Sequence, residues 1–166
     1  YDKKSDINIA QPEFIKKMRD ENYDVVTGTR MVLGDALTAG MPIWKFIPNR
    51  FLTWLENFVF KTNISDYHNG YRAFTTDFLK RVHLERLSDK FDFDTDIMIQ
   101  AAIRGARIAE IPHPTRYNDE NSQMSFAKGI RYGLGILGTV SRYLLHQFKI
   151  VKNEAFDVTE TPVEVK

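Results

Sequence analysis

Apolar positions along this chain fall into short blocks separated by polar stretches. Residues 1–11 are polar and read as loop. Pro12 to Met18 reads as a short helix, with Pro near its start and Glu13 in the first turn. Asp24-Val25-Val26-Thr27-Gly28 has the pattern of a buried strand: a β-branched run ended by Gly. Thr29 to Ile43 reads as loop. Phe51, Leu52, Leu55, Phe58 and Val59 recur at helical spacing and predict a helix over 44–61, which Pro48 starts or kinks.

After a polar loop, Tyr71 to Thr75 reads as a strand, and Thr76 or Asp77 can cap a helix through Val82. Phe91-Asp92-Phe93-Asp94 alternates as a strand end does. Asp94 or Thr95 then caps a helix over 95–104, ended by Gly105. Arg107 to Ile111 reads as another strand, stopped by Pro112 and Pro114. Residues 125–148 predict a long apolar helix. It should present Ile130, Leu134, Leu137 and Leu144 along one side. Residues 151–166 read as a disordered tail. Strands alternating with helices predict an α/β layer structure in one domain over 1–150. No Gly-rich nucleotide fingerprint accompanies them.

Composition narrows the class. At 43% hydrophobic and 27% charged, the chain has material for a core. Its 23 basic and 22 acidic residues make no global field that would recruit nucleic acid. Cysteine is absent, which excludes disulfides and cysteine zinc sites. The start at Tyr1 lacks Met and an apolar leader, and the chain reads as a piece of something longer.

Several polar residues stand where an α/β fold carries chemistry. Arg30 ends a predicted strand. Lys45 and Asn49 share one helix face. Asp66, His68 and Arg72 flank Gly70, which is expected to take a backbone angle other residues avoid. Asp66 pairing with Arg72 would simply fix that loop. Asp92, Asp94 and Asp96 overlap as two Asp-x-Asp patterns, and Asp94 is equally well placed to cap the following helix. A lone His is a poor metal site. Gly129, Gly133, Gly135 and Gly138 in the last helix would let another helix or a membrane approach closely. Its uncharged run, Tyr132 to Ser141, is shorter than the ~20 residues that span a bilayer.

Four blocks, in order over about residues 12–148, resemble family 2 glycosyltransferases of the dolichyl-phosphate-mannose-synthase type. They are Asp24 to Arg30, Ser65 to Phe74, Phe91-Asp92-Phe93-Asp94 leading to Glu110-Ile111-Pro112, and Thr115 to Leu134. The resemblance implies a partial GT-A (Rossmann-like) domain: the acceptor side, lacking the N-terminal nucleotide-binding half. It implies inverting sugar transfer from a nucleotide-diphosphate sugar to a lipid-phosphate or cell-envelope glycan acceptor. A divalent metal, Mg2+ or Mn2+, would bind an acidic motif upstream of Tyr1, with no metal ligand in this chain, so the chain alone would be inactive. Asp94 and Asp66 would be catalytic. Arg30, Lys45, Asn49, His68 and Arg116 would meet acceptor or phosphate. Gly28, Gly70, Arg72 and Glu110 would be structural. Arg30, Asp66, His68 and Asp94 should therefore converge on one concave surface. The resemblance also places the protein in the cytoplasm at the membrane surface, with a homodimer as a further expectation. Two rivals stand beside it: a nucleotidyltransferase on a similar fold, and a non-catalytic sugar-binding domain.

Overall fold

The computed structural model describes residues 3–31, 35–38, 40–89, 93–113 and 126–158. The elements are α1 (Lys3–Asp20), β1 (Val25–Thr29), α2 (Asp35–Thr38), α3 (Ile43–Phe60), β2 (Arg72–Phe74), α4 (Thr76–Leu79), α5 (Phe93–Ile103), β3 (Ile108–Pro112) and α6 (Phe126–Gln147). Among the described residues the sheet has three strands in the order β2-β1-β3. β1 pairs antiparallel with β2 (Thr27 opposite Arg72) and parallel with β3 (Thr29 opposite Pro112). The predicted α/β class is the observed one: a mixed sheet with helices and a long C-terminal helix, consistent with a partial Rossmann-like domain.

Alternation along β1 divides the core. Val25 faces a large cluster with Leu52, Phe60, Phe78, Ile97 and Ile136. Val26 faces the other way, onto Phe14, Ala109 and Ile111. So α1 covers one side of the sheet, and α3, α5 and α6 build the other. α3 and α6 run side by side in the same direction. Trp44 meets Phe126 at the start of the pair (5.5 Å between ring centroids), and Phe60 meets Tyr143 further along (5.3 Å).

Local readings depart from the structure in several places. Residues 3–11, expected as loop, belong to α1, because Ile7, Ala10, Phe14 and Met18 continue one helical spacing through Pro12. The expected loop 29–43 contains the short α2. α3 begins directly after Pro42, a turn before Pro48, which lies inside it. α4 ends at Leu79 and is capped by Thr75, whose hydroxyl accepts from the Phe78 N–H. α5 begins at Phe93, so Phe93 and Asp94 are helical rather than a strand end. Phe91 and Asp92 lie outside the described residues. Residues 151–158, read as disordered, turn back onto the body instead. Glu154–Phe156 form a 3-10 turn, and buried Phe156 packs edge-on to Tyr143 and His146.

Candidate functional site

Parallel pairing puts the C-terminal ends of β1 and β3 at the same end of the sheet, where open α/β sheets carry their sites. The loop 65–71 crosses that end, held from below by Glu110 on β3. The Glu110 carboxylate accepts from the Ser65 N–H (2.9 Å) and hydroxyl (2.8 Å), and from the Asp66 N–H (3.3 Å). Burial pushes the Glu110 carboxyl up and the Asp66 charge adds to this, against those hydrogen bonds.

Asp66 is fully buried and pairs with Arg30, not with Arg72. Arg30 Nε donates to Oδ2 (2.6 Å) and Nη2 to Oδ1 (2.8 Å), a bidentate fork. The same Nη2 donates to the His68 carbonyl (3.0 Å). Burial pushes the Asp66 carboxyl up, but the hydrogen bond and charge of Arg30 prevail and hold it below its ordinary value. Asn49 Nδ2 approaches Asp66 Oδ1 at 3.5 Å, which brings α3 to the loop. Lys45, one turn earlier, lies over the Trp44 ring at 5.0 Å.

Arg72 joins the loop to α5. Its Nη1 donates to the Asp94 carboxylate and carbonyl (both 3.0 Å), and Nη2 donates to the Tyr67 carbonyl. The Asp94 side chain is 40% exposed, while Asp66 has no exposure. Arg30, Asp66 and His68 thus lie in direct contact, and Asp94 reaches them through Arg72 and Tyr67. Arg116 lies outside the described residues.

Gly70 corrects an expectation. It is absent from the positive-φ glycines, Gly40 and Gly105, and an added Cβ would meet nothing within 4 Å. The turn is made by a side chain: Asn69 Oδ1 accepts from the Tyr71 N–H (3.0 Å). Gly28 is the glycine the site needs, since a Cβ there would fall 2.5 Å from His113 Cδ2. His113 in turn pairs with Asn69 at 2.7 Å.

Sequence reasoning missed Glu56, Asn69, His113 and Tyr132. Glu56 is fully buried on α3, accepts from the Thr95 hydroxyl (3.3 Å) and stands 3.0 Å from His68 Nε2. Tyr132 on α6 meets the His68 ring edge-on, and burial pushes its phenol well up, with the Asp94 and Glu56 charges adding to this. A lone acid on the inward face of α3, with Leu52 and Phe60, was the available signal for Glu56. Buried atoms without a hydrogen bond gather at this junction: Asn49 Oδ1, Glu56 Oε2, both His68 ring nitrogens and Arg72 Nε. Among the described residues no group of three or more His, Asp and Glu side chains could hold a metal ion.

A dolichyl-phosphate hexose transferase of Haloferax volcanii is 28% identical over 127 residues, 76% of this chain and 53% of that protein. The chain is similar to glycosyltransferases. The glycosyltransferase AglD of the same organism is 24% identical over 100 residues, 60% of this chain and 16% of that protein. An uncharacterized protein of Methanocaldococcus jannaschii is 29% identical over 126 residues, 74% of this chain and 49% of that protein. The chain therefore spans about half the length, or less, of these relatives. No family model and no solved structure matches it.

Proposed function

We propose that this chain is the acceptor-side portion of a family 2 glycosyltransferase that moves a sugar, with inversion, from a nucleotide-diphosphate sugar to a lipid phosphate. The observation that carries the reading is the junction at the sheet's C-terminal end, where Arg30, Asp66 and His68 meet Asn49 of α3. Similarity to a dolichyl-phosphate hexose transferase supports the choice of acceptor. The junction is rich in acid, with Glu56, Asp66, Asp94 and Glu110 against Arg30 and Arg72. An anionic acceptor therefore belongs at its rim, beside Lys45, and not inside it.

In this reading Lys45 supplies charge to the phosphate, and Arg30, already matched by Asp66, fixes the loop that borders it. A phosphate is already a nucleophile and needs no general base. Asp94, half exposed at the rim, would position the acceptor or sugar. Asp66, with both oxygens committed to Arg30, serves by holding that arginine. A divalent metal would offset the leaving diphosphate, on ligands outside the described residues.

The test is transfer of labelled hexose from nucleotide-hexoses to polyprenyl phosphate by the full-length protein. Lys45→Ala should raise KM for the lipid phosphate about tenfold or more, as loss of a charge-assisted contact does, with kcat less affected. An unchanged KM in this variant removes Lys45 from the acceptor site. Absence of transfer to any lipid phosphate, with transfer to a saccharide instead, overturns the acceptor assignment.

A further inference from the structure

α6 packs one stripe on the core: Tyr132, Ile136, Val140 and Tyr143. Tyr132 is its first member. The contacts Trp44–Phe126 and Phe60–Tyr143 set the register of α6 beside α3 and put Tyr132 level with Asn49, at the polar junction. The ring is held in place. It meets the His68 ring edge-on at 5.6 Å, and His68, itself buried, stands 3.0 Å from buried Glu56. A ring packed in this way aims its hydroxyl in one direction. That hydroxyl takes no hydrogen bond among the described residues, yet it is open to solvent rather than sealed in. A Tyr whose ring is packed normally directs its O–H at a partner.

Asp94 supplies a complementary group. Burial holds the Tyr132 phenol well above its ordinary value, and the charges of Asp94 and then Glu56 add to this. The hydroxyl therefore stays protonated and is always able to donate. Of the Asp94 oxygens, Oδ1 is bound by Arg72 at 3.0 Å. Oδ2 takes no hydrogen bond among the described residues, on a side chain that is 40% exposed. An ionised carboxylate only accepts. One donor and one acceptor thus stand uncommitted at the same junction. An alcohol hydroxyl, which both accepts and donates, satisfies the two together. A phosphate oxygen only accepts, and it would meet the Asp94 carboxylate as a like charge with no proton between them.

We propose that Tyr132 and Asp94 form a subsite for one hydroxyl of the hexose under transfer, with Tyr132 as a specificity-determining residue. The placement deepens the proposed function and rests on it for the identity of the ligand. In-line transfer brings the hexose to the boundary between donor and acceptor, so its ring reaches this rim while the diphosphate stays clear of Asp94 and Glu56.

Tyr132→Phe removes the hydroxyl and keeps the ring against His68. The probes are UDP-glucose, UDP-galactose and GDP-mannose, with the monodeoxy forms of whichever the full-length protein accepts. In that protein the substitution should lower kcat/KM for the nucleotide-hexose about tenfold, as loss of one hydrogen bond to substrate does. KM for polyprenyl phosphate and the circular dichroism spectrum should not change. Removal of one particular sugar hydroxyl should cost the parent about tenfold more than it costs Tyr132→Phe, while the other deoxy positions cost both proteins equally. An unchanged kcat/KM overturns the subsite. So does a loss confined to KM for polyprenyl phosphate, which would give the hydroxyl to the acceptor. Equal penalties at every deoxy position in both proteins also overturn it, since the hydroxyl would then bond only water. Saturation-transfer NMR with free glucose, galactose and mannose is scored apart from transfer, and Tyr132→Phe should weaken the hexose signal. A hexose signal that depends on Tyr132, without transfer to any lipid phosphate, overturns the enzymatic reading only. Transfer that is indifferent to Tyr132→Phe overturns the subsite only, and absence of both transfer and signal overturns both.

Discussion

At the residue scale, the order of the candidate site comes from paired charges, and its pH response follows from their opposite shifts. Asp66 is held below its ordinary value, so the stability it contributes is fully present above the unfolded-state value of about 4 and is lost as pH falls through the lowered folded one. Glu110 is raised, so its contribution is present below its unfolded value and declines as pH rises through the raised folded one. Urea midpoints measured from acid to neutral pH should show both slopes. Asp66→Asn should lower neutral stability by roughly 3 kcal/mol or more, because it leaves Arg30 without its buried partner. It should also flatten the acid limb, and an acid limb of unchanged steepness would mean that another carboxylate sets it. Gly28→Ala should cost roughly 1–3 kcal/mol through its collision with His113, and His113→Ala in the same chain should recover part of it. Gly70→Ala should stay within about 0.5 kcal/mol of the parent in the same unfolding series. The two glycines look alike in sequence. Residue type and order singled out Arg30, Asp66, His68 and Asp94 as candidates, but pairing is a distance, which is why the Arg30–Asp66 and Arg72–Asp94 partners emerged only from the fold.

At the element scale, helical spacing of apolar residues located α3 and a long apolar run located α6 to within a few residues, whereas a capping Asp94 or Thr95 and a terminating Gly105 located α5, which is buried without a break from Thr95 to Ala101. Periodicity alone does not say which apolar stripe of a helix faces in. α3 carries two, and the buried one contains Thr53 and Glu56 while the exposed one contains Trp54 and Phe58. The apolar side expected on α6 divides in the same way: Ile130, Leu134 and Leu137 are exposed, whereas Leu144 packs on the core. The stretch after α6 shows the reverse error. Its charge suggested disorder, yet one aromatic residue, Phe156, anchors it, and the Gln100 side chain donates to the Ala155 carbonyl. Phe156→Ala should therefore cost roughly 3 kcal/mol or more in thermal unfolding, as for a buried Phe rather than a surface one. A change under about 0.5 kcal/mol would return this segment to the status of a loose tail.

At the scale of the whole molecule, two observations bear on what the chain can do alone. The chain matches 49% and 53% of two relatives, and among the described residues the sheet stops at three strands, with β2 and β3 as its edges. Sheets more often have four to six strands, and an open edge is a template for more. No metal-binding group occurs among the described residues. A sugar transfer needs the donor held in line with the acceptor, a positional gain that can reach roughly 7–11 kcal/mol. It also needs fixed charge against the departing diphosphate. The junction of Arg30, Asp66, His68 and Asp94 offers neither, since its cations are matched by carboxylates and its most exposed acid would repel a diphosphate. The 166-residue chain is therefore expected to bind nucleotide-diphosphate sugars weakly, if at all, and not to turn them over. Titration calorimetry with magnesium or manganese, on this chain and on a version extended upstream, checks this. Saturable, metal-dependent binding should appear only in the extended protein. Tight binding by the chain alone would place the donor site within these residues and reassign the rim at Asp94 from acceptor to donor.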